Sequence, residues 1–283
     1  MPHAPARRRV VLDVDTGIDD ALALLYAVAN PAIDLCGVTT VSGNVAAEVA
    51  ARNSAAVLAL AGAGDVRVAT GAPRTSTGGG PRTGPTNHGP DGLGGVALAP
   101  GPEPSSDGVD ALVAAAADAG PVTLVGLAPL TNVAGLAGWA SDLVLVGGAL
   151  GPDGPPEFNA GHDPTATARV LAAGRPTTLY VLDVFEQVVV HPHDVARLRS
   201  SDQPAAQLAG ELLAVRRRHL VGDAGALVLL THPDLFRMES VRMGLVGDHL
   251  APTPDGRPVQ VVVDLDADAV ADAFVDVLQR SRP

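Results

Sequence analysis

The sequence predicts a single α/β domain over residues 1–283: a mostly parallel central sheet with helices on both faces. Three observations predict it. Short apolar runs rich in β-branched residues alternate with segments of helical period, the order that places a crossover helix between parallel strands. Hydrophobic residues make up 47% of the chain, enough for the core that a sheet covered on both faces needs. The two longest Gly- and Pro-rich stretches each follow a strand candidate, where open α/β sheets carry their ligand loops.

The chain opens with a strand over 9–14 (Arg-Val-Val-Leu-Asp-Val) and a helix over 19–30 that begins with Asp19 and Asp20, acidic residues suited to a helix N-terminus. A second strand over 34–41, a helix over 45–61 and a short strand over 66–70 follow. Residues 71–106, dominated by Gly, Pro, Thr and Ser, keep no period and predict a long functional loop. Beyond it come a helix over 107–119, a strand over 121–127, a helix over 131–139 opened by Thr131-Asn132, and a strand over 142–147. A second loop over 147–164 leads to a helix over 164–173 and a strand over 177–182. A helix over 203–220, a turn around 219–226, strands over 241–246 and 258–265 and a helix over 267–280 complete the pattern, with no internal repeat.

Composition removes whole classes of function. Asp+Glu number 31 against 19 Lys+Arg, a net charge of −12, which argues against nucleic acid and anionic membranes as partners. There is no lysine, so Schiff-base chemistry and phosphate-binding lysines are excluded. Cys36 is the single cysteine; it reads as a buried small hydrophobe and rules out intrachain disulfides. Trp139 falls in a helical pattern and is expected in the core. Arg7-Arg8-Arg9 precedes too short an apolar run for a signal peptide, and no run reaches the ~20 residues of a membrane span, so a cytoplasmic protein is expected.

The chemistry concentrates in Leu12-Asp13-Val14-Asp15-Thr16-Gly17-Ile18-Asp19-Asp20, four carboxylates on a strand end, a turn and a first helical turn. Crowded like charges repel and are stabilised by a cation or by proton uptake; all-oxygen donors favour calcium or magnesium. Asp19 and Asp20 as helix-dipole partners and Asp13 and Asp15 as strand caps form the plain alternative. A haloacid-dehalogenase-type phosphatase also begins with an Asp pair after strand one, but its usual later lysine has no counterpart here.

The segment from Val10 to Leu24 closely resembles the inosine-uridine-preferring nucleoside hydrolase family. In the same order as the family's motifs follow Val38-Thr39-Thr40-Val41-Ser42-Gly43-Asn44, His88-Gly89, Leu130-Thr131-Asn132, Glu157-Phe158-Asn159, Asp163-Pro164 and Gly222-Asp223-Ala224. The resemblance implies calcium-dependent hydrolysis of the N-glycosidic bond of ribonucleosides. It implies Asp15, Asp20, Asp223 and the backbone carbonyl of Thr131 as calcium ligands, with Asp15 as the base that activates water. Asp19 would accept a bond from a ribose hydroxyl, Asn44 would hold the sugar, and Glu157 with Asn159 would hold the 5′-hydroxyl side. Asp13, two residues before Asp15 on the same strand face, would support it from behind. Without the resemblance, Thr131 and Asn132 read as a helix cap, Asn44 as turn chemistry, and Glu157 and Asn159 as solvated. A homodimer or homotetramer is also implied.

Two departures stand out. Thr16 replaces the family's usual Pro, and Gly222 stands where many members carry the His that protonates the leaving base. His88, in the long loop, and His219, three residues before Gly222, are the candidate substitutes. The His191-Pro192-His193 pair reads as a surface turn rather than a metal site. A ribose- or nucleoside-binding protein without turnover is the second functional class, which a retained Asp15 disfavours.

Overall fold

The computed structural model describes residues 7–84, 86–105, 107–151 and 154–280. Its strands are β1 (Arg8–Val14), β2 (Ile33–Thr40), β3 (Val68–Thr70), β4 (Thr123–Gly126), β5 (Asp142–Val146), β6 (Thr177–Tyr180), β7 (Phe236–Val246), β8 (His249–Pro252) and β9 (Arg257–Leu265). The helices are α1 (Ile18–Ala29), α2 (Ala47–Leu60), α3 (Val109–Asp118), α4 (Val133–Leu136), α5 (Phe158–His162), α6 (Pro164–Ala172), α7 (Leu182–Phe185), α8 (Pro192–Arg199), α9 (Pro204–Val215), α10 (Ala224–Thr231) and α11 (Ala267–Gln279).

All nine strands form one sheet in the order β3-β2-β1-β4-β5-β6-β9-β7-β8. The run from β3 to β9 is parallel, and only β7 and β8 pair antiparallel at one edge. Val10, Val11, Leu12 and Val14 of β1 and Leu124 and Val125 of β4 have no exposed surface, as continuous apolar runs require in a strand covered on both faces. The expected fold class is therefore the one observed.

The chain moves from β1 outward through β2 to β3, then returns to the other side of β1 with β4. The crevice at the carboxyl ends of β1 and β4 is thus the topological switch point, where such sheets bind ligands. The four-carboxylate segment leaves β1 at that edge, and the segment carrying Thr131 and Asn132 leaves β4 beside it.

Several elements depart from the pattern reading. The strand expected over 241–246 begins at Phe236, its first half being mostly exposed and without an apolar run, and β8, α5, α7, α8 and α10 add to the expected elements. α10 lacks any amphipathic period because almost all of its residues are buried, packed on α1 and α11, so periodicity had nothing to detect. The helix expected over 203–220 ends at Val215; Arg217–His219 form a short 3-10 turn in which Arg218 and His219 both have positive φ. Trp139 is 48% exposed rather than core, because the helix expected over 131–139 ends in a 3-10 turn that swings its ring outward. Cys36, the residue skipped by the β1–β2 register between Leu35 and Gly37, is half-buried, not fully enclosed. Among the described residues no helix is long and apolar enough to cross a membrane.

Candidate active site

The acidic segment folds as it does because its carboxylates satisfy its own backbone. Asp20 Oδ2 accepts the Gly17 N–H at 2.8 Å and its Oδ1 the Asp15 N–H at 3.3 Å, fixing the turn that starts α1. Asp15 is gripped by Asn44, whose backbone N–H donates to Oδ2 at 2.6 Å and whose Nδ2 donates to Oδ1 at 3.1 Å. That approach needs glycine at 43, since a Cβ there would overlap Asp15 Oδ2. Asn44 is thus more than a turn residue: it aims Asp15.

Asp13 lies behind this layer. Its Oδ1 accepts from Thr39 Oγ1 at 2.6 Å and from Asn132 Nδ2 at 2.8 Å. Asn132 also donates to the Thr40 carbonyl and accepts from Ala72 N–H, so it ties β1, β2 and the long loop together instead of capping α4. Thr131 Oγ1 donates to Asp163 Oδ2 at 2.8 Å, and Asp163 also accepts from Ser76 N and Ala166 N. The Thr131 carbonyl takes no backbone hydrogen bond among the described residues.

Asp19, Asp20 and Asp223 each offer a carboxylate oxygen within 4.8 Å of the others, and all three are buried. This is the closest acidic trio among the described residues; Asp15 stands beside it with both oxygens on Asn44. Burial, reinforced by repulsion from Asp15 and Asp19, pushes the Asp20 carboxyl well above its ordinary range; burial and then Asp19, Asp20 and Asp15 do the same to Asp223. Burial raises both Asp13 and Asp15 to about 7, against the lowering effect of their hydrogen bonds. Asp19 is the exception: burial alone would raise it, but the Arg216 guanidinium, 2.7 Å from Oδ2, holds it below the usual range. An all-oxygen cluster this poorly charged on its own fits a hard divalent cation.

Above the acids lies a cavity of about 410 Å³, walled by residues that follow β1 to β6 and by the segment after α9. Asn159 Nδ2 donates to the Leu127 and Val146 carbonyls, clamping the ends of β4 and β5, while its Oδ1 has no partner among the described residues. Glu157 lines the same wall, but its carboxylate accepts from Gly148, Asn159 and Ala160 N–H groups, capping α5 and closing the loop. Burial raises its pKa against those bonds. His88 is buried on the opposite side, its Nδ1 accepting the Ile18 N–H at 3.1 Å, and burial lowers its pKa. His219 does not line the cavity; the 3-10 turn points it elsewhere, and its carbonyl pairs with Val190. His191 and His193 are exposed at the start of α8, far from carboxylates of the cluster.

Arg216 belongs to no motif that singles it out, and Asp163 stands in a motif whose role the sequence does not give. Arg216 looks like the first of three solvated arginines, yet Leu208 and Leu212 precede it at helical spacing on the buried face of α9, and that period was the available signal. Asp163 joins loops far apart in sequence, which no local pattern reveals.

The sequence profile described as inosine-uridine preferring nucleoside hydrolase matches residues 10–272. The chain belongs to that family. It is accordingly an N-glycosyl hydrolase of the nucleoside hydrolase family, as the motif series implied. Among its relatives, a pyrimidine-specific ribonucleoside hydrolase, RihA, from Shewanella baltica is 35% identical over 266 residues, spanning 84% of this chain and 82% of that one. Uridine nucleosidase 1 of Arabidopsis thaliana is 31% identical, spanning 81% and 75%. Two solved nucleoside hydrolases share the fold: a plant enzyme (TM-score 0.86, 23% identity, 97% of this chain and 99% of that one) and a purine-preferring ribonucleoside hydrolase from Gardnerella vaginalis (0.85, 24%, 96% and 98%).

Proposed function

We propose that this nucleoside hydrolase cleaves ribonucleosides to ribose and free base with a calcium ion held by Asp15, Asp20, Asp223 and the Thr131 carbonyl, and that pyrimidine ribonucleosides are its preferred class. The observation that carries the reading is the buried carboxylate cluster at the switch point, three of whose members are pushed toward neutrality by burial and by repulsion from one another. Two relatives above 30% identity named for pyrimidine or uridine substrates support the base preference. A homo-oligomer in the cytoplasm belongs to the same reading, supported by the family resemblance.

Calcium, when bound, would supply the positive charge that lowers the pKa of the attacking water and orients a ribose diol. Asp15 takes the proton of that water, its carboxylate aimed by the two donors of Asn44. Asp19 Oδ1 is buried and unpartnered, an acceptor for a ribose hydroxyl, while Oδ2 stays with Arg216. Asn159, which lines the cavity, would hold the 5′-hydroxyl; Glu157, whose carboxylate accepts three backbone N–H groups, positions that loop. The sugar gains oxocarbenium character as the bond breaks, and carboxylates on the floor stabilise it.

Three assays test this together: uracil release from uridine, metal content of the purified protein, and hydrolysis of nitrophenyl phosphate. We expect uridine cleavage that chelation abolishes and calcium restores, metal loss in Asp20→Ala and Asp223→Ala, and no phosphatase activity. Uridine binding without turnover, or full metal retention in both variants, would refute the assignment.

A further inference from the structure

We infer that Arg216 stabilises the departing nucleobase, a catalytic role that takes the place of the proton donor absent at position 222; this rests on the nucleoside hydrolase reading above. Arg216 follows the last turn of α9, its side chain is 6% exposed, and it lines the cavity. Nη2 donates to Asp19 Oδ2 at 2.7 Å. Nε is buried without a partner, and Nη1 makes no hydrogen bond among the described residues. A buried guanidinium with donors to spare is costly unless something else accepts from it.

Gly222 shows that the arginine fills the vacated space. A Cβ at 222 would stand 3.0 Å from Arg216 Nη2 and 2.7 Å from Asp19 Cβ, and the backbone there has φ of +63°. The loss of a side chain at 222 and the presence of the guanidinium are therefore one local arrangement. His219 does not line the cavity; His88 does, but its Nδ1 accepts the Ile18 N–H, which leaves only Nε2–H to offer. Besides the carboxylates of Asp19, Glu186 and Asp223, the cavity wall carries Leu182, Phe185 and Leu220, apolar side chains that lower the local dielectric and strengthen a cation–anion contact.

In the step, the C1′–N bond breaks with its electron pair passing to the base nitrogen and on to the neighbouring ring carbonyl. The water oxygen bonds to C1′ and its proton goes to Asp15. The guanidinium donates hydrogen bonds to the base anion and keeps all its protons, since it does not titrate in proteins. The released anion takes a proton from solvent, and Asp15 returns its own to solvent. This arrangement suits bases with a carbonyl oxygen next to the glycosidic nitrogen, as in pyrimidine nucleosides.

The experiment compares uridine with nitrophenyl riboside, whose leaving group needs no assistance, in wild type, Arg216→Ala and Arg216→Lys. Removing one preorganised donor typically lowers kcat about 10²- to 10³-fold. That loss is expected for Arg216→Ala on uridine, with nitrophenyl riboside little changed and uridine turnover partly restored by added guanidinium. An equal loss on both substrates overturns the inference and makes Arg216 only the counterion of Asp19. Should Arg216→Ala not fold, the wild-type enzyme decides: kcat on uridine should not fall as pH rises from about 5 to about 9, a range that spans histidine titration, because a guanidinium keeps its charge throughout. A fall across that range that disappears in His88→Gln would assign the role to the histidine. A wild type inactive on both substrates would instead defeat the nucleoside hydrolase reading.

Discussion

The two ends of the cavity are built differently. At the sugar end, Asp13, Asp15, Asp19 and Asp20 sit on the end of β1, the turn after it and the first turn of α1, with Asn44 just beyond β2, and each is fixed by at least one hydrogen bond or ion pair. At the base end, Leu182, Phe185, Arg216 and Leu220 come from separate connections after β6 and α9 and share no local motif. A site that must hold four carboxylates against their repulsion tolerates little variation in spacing. A wall that encloses a flat base asks mainly for shape and one or two donors, which many sequences supply.

This contrast predicts that the enzyme discriminates sugars more sharply than bases. A site built to hydrogen-bond a hydroxyl rejects an analogue lacking it by about 10⁴-fold or more, whereas a largely apolar pocket separates similar groups by about 10- to 200-fold. We expect kcat/KM for 2′-deoxyuridine to fall about 10⁴-fold below that for uridine, and a change of pyrimidine base to cost far less. Comparing uridine, 2′-deoxyuridine and cytidine measures both ends at once; a base effect larger than the sugar effect would break the comparison.

The second prediction concerns stability at the sugar end. The carboxyls of Asp13 and Asp15 are raised from 3.8 to about 7 by burial, so in the metal-free protein the folded state binds protons that the unfolded chain has released. Their contribution is fully present below the unfolded value and is lost as pH rises through about 7. Chelated protein should therefore melt at a higher temperature near pH 5 than near pH 8, roughly the window these shifts define. Added calcium should reverse the order, since it binds the deprotonated cluster. Thermal denaturation at the two pH values, with chelator and with calcium, checks it; a chelated protein more stable at the higher pH would mean that the cluster is not under repulsion.

The same contrast explains what was legible. The parallel sheet, the acidic turn and the cavity positions of Asn44 and Asp223 are readable because a strand, a turn and a helix start have short-range sequence rules and because the motifs keep their order. Glu157 was readable as a site position but not as a helix cap, since only the fold brings Gly148 N–H to its carboxylate. Arg216 was hidden among neighbouring arginines, and α10 and α7 were hidden because burial on all sides or brevity erases the helical period. His219 was placed on a helix by extrapolating α9 past the point where Arg218 and His219 turn to positive φ.

The smallest effect is the most discriminating, and it concerns Gly222. If the missing histidine were simply a gap, Gly222→His would fill it and speed uridine hydrolysis. The local geometry predicts otherwise: a Cβ at 222 meets Asp19 and Arg216 at 2.7 and 3.0 Å, and a side chain must adopt a left-handed backbone. Overpacking and backbone strain of this kind each cost about 1–3 kcal/mol, so Gly222→His alone should lower the melting temperature and leave uridine turnover unchanged or reduced. Removing the guanidinium opens the space that the histidine needs. In the Arg216→Ala background the added histidine should cost less stability and recover part of the lost uridine turnover. The two substitutions share one contact, so their effects should be non-additive by about 0.5–3 kcal/mol in a double-mutant cycle. Strict additivity would show that positions 216 and 222 do not compete for the same volume, and a faster Gly222→His single variant would show that the arginine leaves the base unassisted.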